Sequence, residues 1–90
     1  MAILLITYDL NVNGQDYKSI IEIIKKAQDY KHFMKSNWFV KTSLTPEDWC
    51  KKIKPIIDEN DYLFIVDITK QPRQGWLKKD VWEWLNKNDA

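Results

Sequence analysis

Two aspartates, Asp9 and Asp67, stand within or directly after apolar stretches, where a carboxylate calls for an explanation. Asp9 follows the apolar run that opens the chain, in ITYDL, and Asp67 lies inside FIVDIT. Carboxylate oxygens are ligands that hard cations such as Mg²⁺ accept, and magnesium needs few protein ligands. Paired carboxylates also perform general acid–base catalysis. The pair therefore raises two possibilities, a metal site and a catalytic dyad.

The expected path of the chain keeps these two carboxylates apart. Residues 2–8 and 62–69 are predicted strands that lie side by side and antiparallel. Asp67 then lies beside the start of the first strand, and Asp9 lies about six residues away, or roughly 20 Å at ~3.3 Å per residue. A metal at Asp9 would need ligands from its loop, from water or from Asp9 of a second subunit. The alternative is that Asp9 only hydrogen-bonds the backbone of its own loop.

Lysines recur beside aromatic residues in the middle of the chain, at Lys31, Lys35 and Lys41, with Tyr30 and Trp38 among them. Basic groups bind phosphates and aromatic rings stack on bases, so this combination is typical of nucleic-acid binding. An ordinary solvated surface is the alternative. Lys and Arg total 14 against 13 for Asp and Glu, and a formal net charge of +1 gives no general attraction for phosphates.

The single histidine, His32, and the single cysteine, Cys50, have no ligand-type residues at metal-binding spacing, so no zinc site is predicted. One cysteine excludes an intrachain disulfide and fits a reducing cytoplasm. The apolar run at 2–8 lacks a basic n-region and is too short to span a bilayer. We therefore expect a cytoplasmic protein that does not enter a membrane.

The 90 residues predict one domain, 1–90, without a repeat or linker. The predicted strands are 2–8, 30–34, 37–42 and 62–69. One helix is expected from about residue 17 to 28. A second begins after the candidate N-cap Thr45, and Pro55, which lacks a backbone donor, should kink or end it. A last amphipathic segment covers 75–87.

The order of these elements, βαββαβ and then a C-terminal helical segment, predicts the α+β class and is typical of the ferredoxin-like sandwich. In that fold the strands are ordered 4-1-3-2 and both helices lie on one face. We expect the open face to be covered in a homodimer. The chain holds five tryptophans, and Trp38, Trp76 and Trp84 are predicted interface residues. Partly exposed surface tryptophans are the alternative.

Four motifs, in this order, resemble the CRISPR-associated Cas-two superfamily, and most closely its SinR-like branch of small ferredoxin-fold proteins. They are ITYDL, SNWFVKT, KPIID and GWLKKDVWEWL. The resemblance implies a homodimer that holds DNA during spacer acquisition. It also implies the metal-dependent nuclease activity reported for some members. Asp9 matches the magnesium ligand of that site, and Ser36 loosely matches a serine at the start of the third strand.

Two functions stay open. The first is a homodimer associated with DNA or RNA, either a magnesium-dependent endonuclease or another CRISPR- or defence-related factor. Asp9 would be its catalytic metal ligand, supported by Asn11 or Asn13. The second is a non-catalytic module of the same fold, in a defence or toxin–antitoxin setting, that binds a protein partner through its tryptophan-rich tail. The resemblance favours the first function, and the near-neutral charge favours the second.

Overall fold

A computed structural model describes residues 1–11 and 15–89, with the backbone alone for Gln15 and Asp16. The described residues form an α+β fold with the element order βαββαβα. The elements are β1 (Ala2–Asp9), α1 (Gln15–Ile24), β2 (Asp29–Met34), β3 (Asn37–Thr42), α2 (Pro46–Ile53), β4 (Tyr62–Asp67) and α3 (Lys79–Asn88). A 3₁₀ turn, Lys54–Ile56, follows α2. Within residues 1–11 and 15–89, none of the helices has the length and apolar character that a bilayer crossing requires.

The four strands form one antiparallel sheet in the order β2-β3-β1-β4, which confirms the predicted order of neighbours. β1 is central, with β3 on one side and β4 on the other. In this register Asp9 lies opposite Tyr62, whereas Asp67 lies opposite Leu4. The predicted separation of the two carboxylates along β1 is therefore confirmed.

Local signals place α2 as predicted. The Thr45 hydroxyl accepts a hydrogen bond from the Asp48 N–H at 3.1 Å, and the Asp48 carboxylate accepts one from the Thr45 N–H at 3.0 Å. This reciprocal capping satisfies two donors at the start of the helix. Pro55 lies in the 3₁₀ turn, because it lacks the N–H that another α-helical turn would use.

Three elements are shorter than predicted, and one of them is α3, which begins at Lys79 rather than at residue 75. α1 ends at Ile24, and a tight turn follows it, in which the Ala27 N–H donates to the Ile24 carbonyl three residues back. β4 ends at Asp67 because Thr69 leaves the strand. The Thr69 N–H donates to the Asp67 carboxylate at 2.9 Å, and its hydroxyl accepts from the Ile3 N–H at 2.9 Å. These side-chain bonds replace the strand pairing.

One face of the sheet, called here the inner face, packs against α1 and α2. Because side chains alternate along a strand, every second residue of β1 and β3 enters this core. Its buried members are Leu4, Ile6, Tyr8, Leu10, Ile20, Ile24, Trp38, Val40, Trp49 and Ile53. The predicted placement of both helices on one face is confirmed.

The opposite face, called the outer face, is not left open as predicted, because α3 covers part of it. Val81 and Leu85, one helical turn apart, are buried against Ile3 and Phe39 in a second cluster. The C-terminal segment of this chain thus covers part of the surface that was predicted to be covered by a second subunit.

Ionic contacts fasten α3 near both ends. The Lys31 ammonium lies 2.8 Å from the Asp80 carboxylate in the first turn of α3. At the other end the buried Asp89 carboxylate accepts hydrogen bonds from the Lys70 N–H at 2.9 Å and from the Arg73 guanidinium at 2.5 Å. Burial raises the pKa of Asp89, but these donors outweigh burial and hold the pKa below its usual value.

Candidate functional site

Asp9 is the last residue of β1, and its side chain is exposed on the outer face. The neighbours on either side, Tyr8 and Leu10, are both buried in the inner core. Because successive side chains of a strand point to opposite faces, these two anchors direct the Asp9 carboxylate outward. Its position in a shallow depression with Tyr62 and Phe64 makes it accessible to a ligand.

Asp67 takes no part in this site. Its carboxylate accepts hydrogen bonds from the hydroxyl and the N–H of Thr69. The hydroxyl bond first, and then the backbone bond, lower the pKa of Asp67. Asp67 therefore has a local structural role at the end of β4, and the dyad suggested by the sequence does not form within one chain.

Asp61 is an acidic residue that sequence reasoning missed. It is buried, and its two carboxylate oxygens accept from the Asn11 N–H at 2.6 Å and the Asp58 N–H at 2.8 Å. Both oxygens are thus occupied in tying the segment after β1 to the loop before β4. The available signal in the sequence was the DEND cluster at 58–61, directly before the fourth predicted strand. Asp61 holds the chain that follows Asp9 in place.

A metal at Asp9 would need further ligands. Among residues 1–11 and 15–89, no group of three His, Cys, Asp or Glu side chains is arranged to hold an ion. Asn11 is exposed beyond β1, and Asn13 lies outside the described residues. One exposed carboxylate can hold Mg²⁺ only when water, phosphate oxygens or a second carboxylate complete the coordination shell.

Ser36 lies at the same end of the sheet as Asp9. The Tyr8 N–H donates to the Ser36 carbonyl at 3.1 Å, so the turn between β2 and β3 lies beside the end of β1. Lys35, in the same turn, is exposed. The structure therefore brings Lys35 and Ser36 to the end of the sheet where Asp9 lies.

The three lysines predicted to bind nucleic acid lie at two places, with Lys31 and Lys41 on the neighbouring strands β2 and β3 and Lys35 in the turn that joins them. Lys31 is paired with Asp80, which neutralises its charge. Lys41 lies opposite Asp29 near the far end of β3, away from the turn that carries Lys35. Two of the three lysines thus have acidic neighbours, and the role of all three in nucleic-acid binding stays a prediction. Lys35 alone stays available near Asp9.

The three tryptophans predicted at an interface have different environments. Trp38 is 3% exposed in the inner core, where its Nε1 donates to the Tyr8 hydroxyl at 3.1 Å. Trp38 therefore belongs to the core of the single chain, and the prediction that it lies in a subunit interface is wrong. Trp84 is half-buried and its ring stacks on Phe39, with 6.3 Å between centroids. Trp76 is 100% exposed, so it is available to a partner.

The part of the outer face that α3 leaves uncovered is called here the outer patch. Its members are Thr7, Asp9, Met34, Tyr62 and Phe64. Tyr62 is 73% exposed and Phe64 is 63% exposed, which is unusual for large aromatic side chains. Trp76 lies beside this patch, since it lines with Met34 a groove of about 450 Å³ between the tail and the sheet.

Comparison of the chain with protein-family models, with curated proteins and with solved structures finds no match.

Proposed function

We propose that this protein is a ferredoxin-like homodimer that acts on nucleic acid, and that the outer patch is its subunit interface. The observation that carries the proposal is that Asp9 shares one surface with Tyr62 and Phe64. Contiguous exposed apolar surface of this kind marks interaction sites in soluble proteins. A two-fold axis through the patch would bring the two Asp9 carboxylates towards each other.

The apolar area available is sufficient for such a dimer. Tyr62, Phe64, Met34 and Trp76 are the large exposed hydrophobic side chains on or beside the patch. Covering their exposed parts would bury roughly 600 Å² on each subunit, since an aromatic side chain presents about 150–250 Å². Two subunits then reach about 1,200 Å², the lower limit of a specific interface. Polar neighbours such as Thr7 would add to this area.

Two facing Asp9 carboxylates fit the needs of Mg²⁺, which takes one or two carboxylates together with water and phosphate oxygens. When bound, this ion polarises a phosphate and activates water. The chain supplies the carboxylates and a rigid strand end that orients them. Without a cation the two negative charges repel each other, which weakens the dimer. The matching of Asp9 in ITYDL to the magnesium ligand of the Cas-two superfamily supports this role.

The dimer is tested by light scattering at micromolar concentration, with Mg²⁺ and with EDTA. We expect the wild type to dimerise more strongly with Mg²⁺. Asp9→Asn should dimerise equally well in both conditions, because it removes the repulsion. Asp67→Asn is the matched control, since it changes an exposed strand carboxylate elsewhere, and it should behave as the wild type. A wild type that is monomeric in both conditions would refute the proposed interface.

The activity is tested by cleavage of short labelled DNA and RNA with Mg²⁺ or Mn²⁺. We expect Asp9→Asn to lower the rate at least about 100-fold, because loss of a direct ligand exceeds the effect of its outer-shell partners. Asp67→Asn should cleave at the wild-type rate. Equal cleavage by all three proteins, or cleavage by none, would show that Asp9 is a structural strand-end residue.

A second candidate function is a non-catalytic protein-interaction module, and the complete exposure of Trp76 beside an apolar groove favours it. Tryptophan is a frequent anchor of protein interfaces. Trp76→Ser tests this candidate without disturbing the core. The second candidate gains if this variant loses a stable protein complex while the intact dimer shows no salt-dependent affinity for DNA or RNA.

A further inference from the structure

Three aromatic rings pack together on the inner face of β2 and β3, away from the outer patch. The His32 imidazole stacks on the Trp38 indole, with 4.3 Å between centroids and 13° between planes. Tyr30 lies on the other side of the group, 5.9 Å from Trp38 and tilted by 54°. In the register His32 is opposite Trp38 and Tyr30 is opposite Val40, so both project from the same face.

The two outer rings of this group are open to solvent. β2 is an edge strand, and the inner core formed with α1 and α2 does not reach over its side chains. Tyr30 is 37% exposed and His32 is exposed, whereas Trp38 is buried beneath them. The His32 Nε2 lies 3.2 Å from the Lys35 carbonyl, which fixes the plane of the imidazole. One face of His32 therefore covers Trp38, and the other faces outward.

Positive charge lies at both ends of this surface. Lys35 follows β2 directly, and Lys25 and Lys26 lie in the turn that leads into it. All three are exposed, and none forms an ion pair with a residue in 1–11 or 15–89. The acidic residue of this strand, Asp29, lies opposite Lys41 in the register.

We infer that Tyr30 and His32 form a stacking platform for an unpaired base, and that Lys35 binds the adjoining phosphate of a single-stranded nucleic acid. A flat, pre-oriented ring with one free face is what base stacking requires, and lysines beside it supply the phosphate contact. A duplex hides its base faces, so a single strand is the fitting ligand. The inference rests on the proposed nucleic-acid function and names where the strand is held.

The position of the platform suits that function. Lys35 lies in the turn whose Ser36 carbonyl accepts from the Tyr8 N–H, next to Asp9. The platform lies on the opposite face from Asp9 and nearer the middle of the sheet, since His32 is level with Trp38 and Ile6 in the register. Lys35, in the turn after β2, lies at the end of the sheet that carries Asp9. A single strand that passes from His32 to Lys35 is directed towards the end of the sheet that carries Asp9.

The test is a filter-binding titration of ten-nucleotide DNA and RNA strands and of the matching DNA duplex, in EDTA and at low salt. We expect both single strands to bind more tightly than the duplex. His32→Ala should weaken single-strand binding about tenfold, whereas His32→Phe, which keeps a stacking ring, should retain it. Circular dichroism establishes that both variants are folded.

The charge contribution is tested separately. Lys35→Ala should lower the slope of log affinity against log salt by about one unit, since one phosphate contact is lost. Lys51→Ala is the matched control, because Lys51 is exposed on α2 and paired with Glu47, and it should leave the slope unchanged.

The outcomes separate this inference from the proposed function. Equal affinity of His32→Ala and the wild type, or a preference for the duplex, would overturn the platform even if Asp9-dependent cleavage is observed. Failure of all three nucleic acids to bind would overturn the platform as well. Single-strand binding that depends on His32, without any cleavage, would support the platform and contradict the proposed nuclease activity. A difference between DNA and RNA would identify which strand it accepts.

Discussion

The two faces of the sheet differ in how much of each is buried by the chain itself. The core between the inner face, α1 and α2 holds ten buried residues, including Trp38 of the sheet and Trp49 of α2. The core between the outer face and α3 holds four buried residues, and Tyr62 and Phe64 of the outer face stay largely exposed. Since stability follows buried apolar area, the inner face holds the fold together. The outer face keeps exposed apolar surface that a partner can cover.

The contact of α3 with the sheet is also less complete than the inner core. The Trp84 Nε1 is buried without a hydrogen-bond acceptor among the described residues. A buried donor left unpaired costs about 1–3 kcal/mol, so the packing of α3 against the sheet is not fully optimised. By contrast, the Nε1 atoms of Trp38 and Trp49 both have hydroxyl acceptors. We therefore expect α3 to open before the inner core does.

The largest effect is expected at the inner face. Ile6→Ala removes a fully buried side chain from the central strand. We expect the free energy of unfolding to fall by about 2–5 kcal/mol, because a cavity remains in a core that cannot collapse. Urea denaturation followed by circular dichroism measures the change. A loss below about 1 kcal/mol would show that the two faces contribute nearly equally to the free energy of unfolding.

A smaller and more local effect is expected for Leu85→Ala in α3. The side chain is buried against the outer face, and its loss should cost about 2 kcal/mol. Hydrogen exchange should become faster in α3 while the amides of β1 and β3 stay protected, because α3 opens separately. Uniformly faster exchange over the whole sheet would mean that both faces unfold as one unit.

Acid should release the end of α3 selectively. The folded-state pKa of Asp89 lies below its unfolded value, so the carboxylate contributes stability above about pH 4, and this is lost as the pH falls through the folded pKa. Nuclear magnetic resonance shifts of residues 79–88 should change below pH 4 before those of β1. Asp89→Asn should lack this selective step, and its persistence in that variant would assign the step to another group.

The smallest effect on the stability of one chain is expected for Phe64→Ser. Because this side chain is mostly exposed, the free energy of unfolding of the monomer should change by less than about 0.5 kcal/mol. The dimer, however, should dissociate at concentrations where the wild type is paired. Thr69→Ser, a conservative change beyond the patch, serves as the control for light scattering. A dimer unaffected by Phe64→Ser would place the interface elsewhere.

The sequence predicted those features that local signals determine. The bounds of β3 at 37–42, the capping of α2 by Thr45 and its end before Pro55 all follow from nearby residues. The order of the strands also followed, because the succession of elements allows few topologies. The distance between Asp9 and Asp67 required only the rise per residue of a strand and an antiparallel pairing.

The features that were missed depend on contacts between distant parts of the chain. The pairing of Lys31 with Asp80 joins residues 49 positions apart, so the sequence showed only a free lysine. Trp38 and Phe39 are both buried although they face opposite sides, since α3 covers the outer side as well. The stacking of His32 on Trp38 joins two strands through a hairpin with an irregular register, which the strand pattern alone did not show.

The uneven distribution of the five indoles gives the protein its own optical probe. Trp38 and Trp49 emit from an apolar interior, whereas Trp76 is 100% exposed and emits from water. The long-wavelength edge of the intrinsic fluorescence therefore belongs mainly to Trp76, and iodide quenches it first. Any partner that covers this indole shifts that emission to shorter wavelength, so association at the groove is visible without a label.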